Sequence, residues 1–314
     1  MSTESSDPAT VIGWMDELSN WNRWGSDDLK GTLNYITGEV RARAAAEVQT
    51  GRSLGLGWDI RAAPRLGGVA NRWMSSNGET TRVSEAAATG MHAAADIWQL
   101  QYHHQDVTHI DALSHIFFAG KMYNDRSASL VSATNGAAQL SIEHLRDGVV
   151  TRGVLLDVAA AQPDSRMELR QAAYPSDLEA AEQRQNVRVE SGDAVLLHTG
   201  LSAHRAEHPD WDMNVHGSPG WDASCLPWLF ERQVAAIGTD GNNEALPNAH
   251  VDIWQHPIHA VGIRAMGLTL LNSCRLDQLA ATCRELNRWT FLLVVSPLLF
   301  RGATGSPVNP LVIL

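Results

Sequence analysis

The sequence predicts a mixed α/β fold, because short apolar segments recur along the chain between a smaller number of amphipathic helical segments. The apolar segments 151–158, 194–199 and 234–239 are each followed by polar or turn-forming residues, as expected of buried strands. Segment 276–289 predicts a helix, since Leu276, Leu279, Cys283 and Leu286 share one helical face. No internal repeat and no linker is evident. We therefore expect an N-terminal segment, 1–20, followed by one domain over 21–314.

Further elements are predicted from local signals. Thr37 is suited to cap a helix over 39–48, and Ser176 is suited to cap a helix that ends at Gln185, with Glu179 three residues on. Strands are predicted at 53–56, 96–104 and 290–299. Residues 61–95 are rich in Gly, Ala, Ser and Asn and show little periodicity, so they are expected to form a long loop or flap.

Composition and charge exclude several classes of protein. Lys+Arg 24 against Asp+Glu 35 gives a net charge of −11, which argues against a nucleic-acid-binding protein. The chain lacks a run of about 18 apolar residues, so no membrane span is expected. The polar N-terminus lacks signal-peptide features, and Cys225, Cys274 and Cys283 are too few and too scattered for a disulfide framework. A soluble cytoplasmic protein with reduced thiols is expected.

The segment Q-Y-H-H-Q-D-V-T-H-I-D-A-L-S-H, residues 101–115, holds four histidines and two aspartates. In an unbroken strand, alternate residues share one face, which would align the side chains of His103, Gln105, His109 and Asp111. The spacing of His109 and Asp111 lets an imidazole and a carboxylate bind the same cation. Their neighbour Thr108 would point the other way and hydrogen-bond the backbone. The alternative is a purely structural, histidine-rich turn.

The stretch T-H-I-D-A-L-S-H resembles the signature of the cyclase-like metal-dependent hydrolases, which include bacterial kynurenine formamidase and isatin hydrolase. That signature runs His-x-Gly-Thr-His-x-Asp-x-Pro-x-His. The chain matches it at Thr108, His109, Asp111 and His115 and departs from it at Gln105, Val107 and Leu113. Gln105 stands where the first ligand histidine belongs, and a shift of register would let His103 or His104 compensate.

Four other stretches resemble the family. W-G-S-D-D-L-K-G-T-L-N at 24–34 resembles the N-terminal extension of its longer-chain branch, S-G-D-A-V-L-L-H-T-G at 191–200 and V-A-A-I-G-T-D at 234–240 resemble core strands of the family, and G-A-T-G-S-P at 302–307 is similar to its C-terminal turn. The resemblance therefore covers roughly residues 20–310. It implies a swivelling β/β/α domain with a mixed sheet and few helices, and a homo-oligomer, either a dimer or a tetramer.

In the family's second metal-binding stretch, a His is followed twelve residues later by a Glu. Here His259 is followed thirteen residues later by Asn272, so that one inserted residue places an amide at the Glu position. An amide carries no charge to offset a second metal ion. The resemblance thus implies one divalent ion, Mn or Zn, as in isatin hydrolase, rather than the two zinc ions of the formamidases.

The resemblance implies hydrolysis of a carbon–nitrogen bond in a small amide, formamide or cyclic amide. His109, Asp111 and Gln105 would hold the cation, His115 would act as general base, and His259 would lie across the site. His198 would either reach the pocket or lie in the core. Trp21, Trp24, Trp73 and Trp98, in loops or near the site, favour an aromatic substrate.

Two other functions remain open at this point. The first is a cyclase of specialised, polyketide-like metabolism, in which His115 abstracts a proton and the amides of Gln105 and Asn272 stabilise an oxyanion without metal. The second is a binding protein that has kept the pocket. Asp111 and His115 argue against the second, because an unused buried carboxylate is costly.

Overall fold

A nine-stranded mixed sheet forms the centre of the protein in the computed structural model, which describes residues 7–62, 68–79, 93–250 and 254–314. The described residues contain fifteen strands, of which nine form this sheet and six form three two-stranded sheets. They are β1 (Ser53–Gly55), β2 (Ala70–Ser76), β3 (Ala95–Leu100), β4 (His109–Asp111), β5 (Val131–Ser132), β6 (Gly136–Ala137), β7 (Val149–Asp157), β8 (Ala172–Ala173), β9 (Ala194–His198), β10 (Gly220–Trp221), β11 (Ala236–Thr239), β12 (Thr269–Asn272), β13 (Thr290–Val295), β14 (Gly305–Pro307) and β15 (Leu311–Ile313). The order in the large sheet is β1-β15-β13-β7-β9-β11-β12-β4-β14.

The middle of the sheet is parallel and its flanks are antiparallel. β7, β9, β11 and β12 run parallel to one another, whereas β13 pairs antiparallel with β7 and β4 pairs antiparallel with both β12 and β14. The three predicted strands at 151–158, 194–199 and 234–239 correspond to β7, β9 and β11. Each is buried on both faces, which explains why these segments read as continuous apolar runs rather than as alternating ones.

Two hydrophobic clusters cover the two faces of the sheet. Val154 and Leu156 of β7 belong to one cluster, while Leu155, which lies between them, belongs to the other together with Phe291 of β13. This division follows from the alternation of side chains along a strand. Because both faces are filled, polar groups cluster where the strands end, and the candidate site described below lies at that edge.

The helices lie outside the sheet and are few. They are α1 (Pro8–Glu17), α2 (Gly38–Ala45), α3 (Pro175–Gln185), α4 (Leu201–Glu207), α5 (Met213–His216), α6 (Cys225–Glu231), α7 (Asp277–Leu286) and a π-helix (Ile258–Met266), with short 3-10 turns elsewhere. The hydroxyl of Thr37 accepts a hydrogen bond from the Val40 N–H, which confirms the predicted cap of α2.

Several element boundaries differ from prediction; helix α2, for example, ends at Ala45, before the predicted 48. Helix α3 begins at Pro175, so Ser176 lies inside it, and Asp177 accepts from the N–H of the capping residue Tyr174; proline favours the first helical position. Helix α7 ends at Leu286, before the predicted 289, because Asn287 adopts a left-handed conformation (φ 49°). Strand β13 ends at Val295, before the predicted 299.

The histidine-rich segment does not form one unbroken strand, and the strand predicted at 96–104 ends earlier, at Leu100. β3 ends at Leu100 and β4 covers only His109–Asp111, because turn hydrogen bonds from His104 N–H to Tyr102 and from Val107 N–H to His104 bend the chain between them. Within the predicted loop 61–95, residues 70–76 form β2, which pairs with β3 in a hairpin. Residues 63–67 and 80–92 of that predicted loop lie outside the described residues.

The cysteines and the helices agree with the sequence-based expectations. Cys225, Cys274 and Cys283 are buried and form no disulfide, and the thiol of Cys225 donates to the carbonyl of Ala173. Within the described ranges, none of the helices combines the length and apolar character needed to cross a bilayer.

Candidate metal centre

Strand β4 carries His109 and Asp111 into the buried edge of the sheet. His109 pairs across the ladder with Asn272 of β12, and Asp111 pairs with Gly305 of β14. Both side chains are almost fully buried, with exposed fractions of 5% and 2%. Since the two residues are separated by one position on a strand, they share one face, as the sequence spacing predicts.

The ring of His109 is held in one orientation. Its Nδ1 lies 2.7 Å from the carbonyl oxygen of Val107, so Nδ1 carries the proton and Nε2 keeps a free lone pair. That Nε2 lies 3.7 Å from Oδ1 of Asp111. Burial lowers the pKa of His109, which keeps the imidazole in the neutral form that binds metals.

His103 reaches the same point from the preceding turn. Its Nε2 lies 3.1 Å from the hydroxyl of Thr304, and its Nδ1 lies 3.1 Å from Oδ1 of Asp111 without hydrogen-bond geometry. His103 Nδ1 and Asp111 Oδ1 are both buried, and neither atom has a hydrogen-bond partner among the described residues. Together with His109, these side chains form a group whose ligand atoms lie within 4.8 Å of one another. Two imidazoles and one carboxylate that converge in this way could hold a metal ion.

The carboxylate of Asp111 is ionised. Burial alone would raise its pKa, but interactions with the neighbouring imidazoles, first His115 and then His103, outweigh burial and hold the pKa well below its usual range. Its second oxygen, Oδ2, accepts a 2.7 Å hydrogen bond from the amide of Asn272. The Asn272 carbonyl in turn accepts from Asn243, so its orientation is fixed. Asn272 thus lies behind Asp111 and is fully buried.

A cavity of about 340 Å³ opens onto this group. Its lining includes His103, His109, His115 and His259, together with Gln105 and Met213. The ring of His115 stacks on that of His103, with centroids 3.9 Å apart and planes 6° from parallel. Burial lowers the pKa of His115 to about 4, so the ring is neutral near pH 7 and can accept a proton.

Glu244, which the sequence analysis missed, orients His259. This fully buried carboxylate accepts hydrogen bonds from the N–H groups of Ile258 and His259 and from His259 Nδ1, the last at 2.9 Å. Nε2 of His259 therefore faces the site, 3.6 Å from Oδ2 of Asp111. Burial opposes charge on this ring, yet the hydrogen bond to Glu244 outweighs it and raises the pKa of His259. The position of Glu244, just after the carboxyl end of parallel strand β11, was the available signal.

The predicted ligand Gln105 lines the cavity, but its amide is engaged elsewhere. Its Oε1 accepts from the Met213 N–H at 3.0 Å, and its Nε2 donates to the carbonyl of Trp211 at 3.4 Å. The neighbouring His104 also lines the cavity, and its ring faces Asp106 at 3.5 Å.

Other predicted pocket residues lie outside the cavity lining. Thr108 points away, as expected, and donates to the carbonyl of Ser273. His198 pairs with Asp157 and Asp277 in a separate buried network. The four tryptophans predicted to favour an aromatic substrate do not line the described cavity. Trp21 donates to the backbone carbonyl of Arg264, and Trp24 packs edge-on against Tyr35. Trp73 and Trp98 are exposed on the β2–β3 hairpin.

Comparisons with known proteins agree with this architecture. The model of the putative cyclase family matches residues 71–243, more than half of the chain. A crystal structure described as a novel cyclase is similar with a TM-score of 0.81 at 27% sequence identity, over 96% of this chain and 99% of that chain. No curated protein sequence matches the chain.

Two further solved structures share the fold at lower identity. Isatin hydrolase A from Labrenzia aggregata, bound to benzyl benzoate, has a TM-score of 0.57 at 22% identity and covers 87% of this chain and 96% of its own. A predicted metal-dependent hydrolase from Bacillus stearothermophilus has a TM-score of 0.51 at 16% identity, over 83% of this chain and 97% of its own. These likenesses confirm the predicted fold class, a cyclase-like domain with a mixed sheet and few helices.

Proposed function

This chain belongs to the putative cyclase family, and from that premise we propose that it is a metal-dependent hydrolase that opens the carbon–nitrogen bond of a small cyclic amide. The observation that carries the proposal is the convergence of His103 Nδ1, His109 Nε2 and Asp111 Oδ1, of which the first and last lack any hydrogen-bond partner among the described residues. Two imidazoles and one carboxylate form a ligand set that suits a single zinc, manganese or iron ion.

We assign the third ligand position to His103 rather than to Gln105. The Gln105 amide already bonds to two backbone groups, whereas His103 presents a buried, unpaired nitrogen 3.1 Å from the carboxylate. A neutral imidazole is also a stronger ligand for such cations than a carboxamide. The missing histidine of the family signature is thus replaced from two residues upstream.

A divalent cation bound there would supply Lewis acidity, which polarises a carbonyl group and acidifies water. The protein's own residues would move the protons. His115 accepts a proton from the attacking water, whose oxygen forms a bond to the amide carbon. The carbon–nitrogen bond then breaks, and the nitrogen takes up a proton returned by His115 or delivered by His259 Nε2. Glu244 holds the Nδ1 of His259, so only Nε2 faces the cavity.

The cavity and the comparisons support a small cyclic amide as substrate. A volume of about 340 Å³ fits a molecule of one or two rings. Isatin, the substrate named for the similar hydrolase, contains a cyclic amide. The site offers several imidazoles as proton carriers, which suits a reaction with one proton taken and one returned.

A metal-free cyclase remains the second candidate, because the matching family carries that name. The site geometry supports it less well. Asn272, one of its two proposed oxyanion donors, is fully buried and donates to Asp111 instead of facing the cavity. The two candidates differ in their need for metal. A protein that still turns over its substrate at the full rate after metal removal would favour the cyclase, because the proposed hydrolase depends on the cation.

The test compares two adjacent histidines that both line the cavity, His103→Ala and His104→Ala. The metal content of the purified proteins and their Zn²⁺ and Mn²⁺ affinities are measured, together with isatin hydrolysis. We expect about one ion per chain in the unchanged protein. His103→Ala should weaken metal binding about 100-fold, since each zinc ligand contributes roughly 3 kcal/mol, while His104→Ala should change it less than about threefold. Equal losses in both variants, or full activity without metal, would overturn the proposal.

Self-association and cytoplasmic location remain predictions. The exposed side chains of Trp73, Ile97 and Trp98 on the β2–β3 hairpin provide an apolar surface of the kind that subunit contacts cover. Light scattering of the purified chain measures the oligomeric state.

A further inference from the structure

We propose that Gln105 is a positioning residue. Its side chain joins the turn that carries His103 to residues 212–214, which form one wall of the cavity, and thereby sets how tightly substrate binds. This inference deepens the proposed function and rests on it for the identity of the substrate. The wall consists of Asp212 and the first two residues of α5, Met213 and Asn214, which line the cavity together with the histidines.

The first support is the pair of hydrogen bonds made by the Gln105 amide. Its oxygen accepts from the N–H of Met213 at 3.0 Å, and its nitrogen donates to the carbonyl of Trp211 at 3.4 Å. An amide offers an acceptor and a donor side by side, which matches a carbonyl and an N–H two residues apart on a peptide backbone. A neutral imidazole in this place offers one donor and one acceptor on opposite sides of its ring.

The second support is an additional contact made by the next residue in the turn, Asp106. Asp106 accepts a 3.0 Å hydrogen bond from Arg205 of α4, whose guanidinium lies 4.8 Å from the ring centre of Trp58 and 5.4 Å from that of Trp211. Trp211 is itself buried and donates to the carbonyl of Gly217. Gln105 thus bonds directly to residues 211 and 213, and Asp106 is linked to the same segment through Arg205, whose guanidinium contacts Trp211.

The third support is the place of these ties relative to the metal-binding group. His103 precedes Gln105 by two residues in a turn outside the strands, so ladder hydrogen bonds do not hold it in place. The hydrogen bonds of Gln105 and Asp106 connect this turn to the wall and thereby stabilise both. Loss of the Gln105 side chain would leave His103 held by Thr304 and the stacked ring of His115, while the wall would lose the acceptor for the Met213 N–H.

The consequence is a division of roles that the family signature does not contain. The signature places a ligand histidine at this position, whereas here the ligand moves to His103 and position 105 organises the wall. Substitution of Gln105 should therefore change substrate binding more than metal binding or turnover.

The experiment uses Gln105→Ala, Gln105→Glu and the control Gln101→Ala, which changes an exposed glutamine at the start of the same segment. Hydrogen–deuterium exchange of peptides covering 208–217 reports the wall directly and requires no substrate. We expect exchange at Met213 to be about tenfold faster in Gln105→Ala, as for a lost hydrogen bond, intermediate in Gln105→Glu, which keeps an acceptor, and unchanged in Gln101→Ala. Thermal melting checks that each variant is folded.

Metal content and kinetics complete the test. Bound metal should stay within about twofold of the unchanged protein, and the KM for isatin should rise about tenfold while kcat changes less than threefold. Loss of metal in Gln105→Ala would contradict the division of roles between His103 and Gln105 and overturn the inference, as would unchanged exchange at 208–217. Absence of isatin hydrolysis in the unchanged protein would count against the proposed function alone, since exchange and metal content still decide the role of Gln105.

Discussion

The amide nitrogen of Asn272 donates a 2.7 Å hydrogen bond to Oδ2 of Asp111, although 161 positions separate the two residues along the chain. The resemblance to the hydrolase family places a carboxylate at the position of Asn272. A carboxylate there would face the buried, ionised Asp111, and the pair would require a second cation or a shared proton. The amide instead satisfies one oxygen of Asp111 and leaves the other free to bind a single ion.

Replacement of Asn272 by Asp should therefore destabilise the metal-free protein. The donor becomes an acceptor, and an unsatisfied buried partner costs about 1–3 kcal/mol, with more for charged groups. Urea unfolding in the presence of a chelator measures the loss, with the exposed Asn135→Asp as the matched control. The same variant should regain more stability than the unchanged protein when Zn²⁺ is added. Equal stability of the two Asn→Asp variants without metal would contradict this account of Asp111.

Glu244→Gln should impair both stability and hydrolysis. The carboxylate accepts hydrogen bonds from two backbone N–H groups and from His259 Nδ1, and an amide provides only one oxygen for these donors. We expect a loss of roughly 1–3 kcal/mol in the free energy of unfolding and a fall in kcat of about 10–100-fold, as is usual for partners that orient site histidines. Glu179→Gln, on the exposed face of α3, serves as control. Unchanged kcat would remove Glu244 from the site.

His198 should make stability depend on pH in the neutral to alkaline range. Burial disfavours its charge, but hydrogen bonds to Asp157 and Asp277 outweigh burial and raise its pKa to about 9. A raised pKa means that the stabilisation is complete below the ordinary value of 6.5 and disappears as pH rises through about 9.

The free energy of unfolding of the unchanged protein minus that of His198→Gln should thus shrink between pH 6.5 and 9, by up to about 1.4 kcal/mol per pH unit. The two carboxylates that bond to the ring, Asp157 and Asp277, have pKa values below their usual range and stay ionised between pH 6.5 and 9, so the slope belongs to His198. Urea titrations at several pH values provide the measurement, with the exposed His208→Gln as control. A difference that stays constant with pH would show that His198 is not charged in the folded protein.

Strand and helix positions were predictable where a local signal dominates. The segments that became β7, β9 and β11 are apolar throughout because both faces of the sheet are covered. Thr37 caps α2 as its position before a run of helix formers indicates. The predicted helix boundaries were wrong where a single residue overrides the hydrophobic and capping pattern. Pro175 begins α3, and Asn287 ends α7.

By itself, the sequence determined that the side chains of His109 and Asp111 lie on the same face, because residues i and i+2 of a strand share a face. It also determined that position 105 departs from the family signature. The contacts of His103 with Thr304 and of Glu244 with His259 were decided only by tertiary structure. These residues lie in turns and in a π-helix, where no simple periodicity links side-chain direction to sequence spacing. Strand alternation is a local property of the backbone, whereas the meeting of unpaired ligand atoms from separate turns depends on how the whole sheet packs.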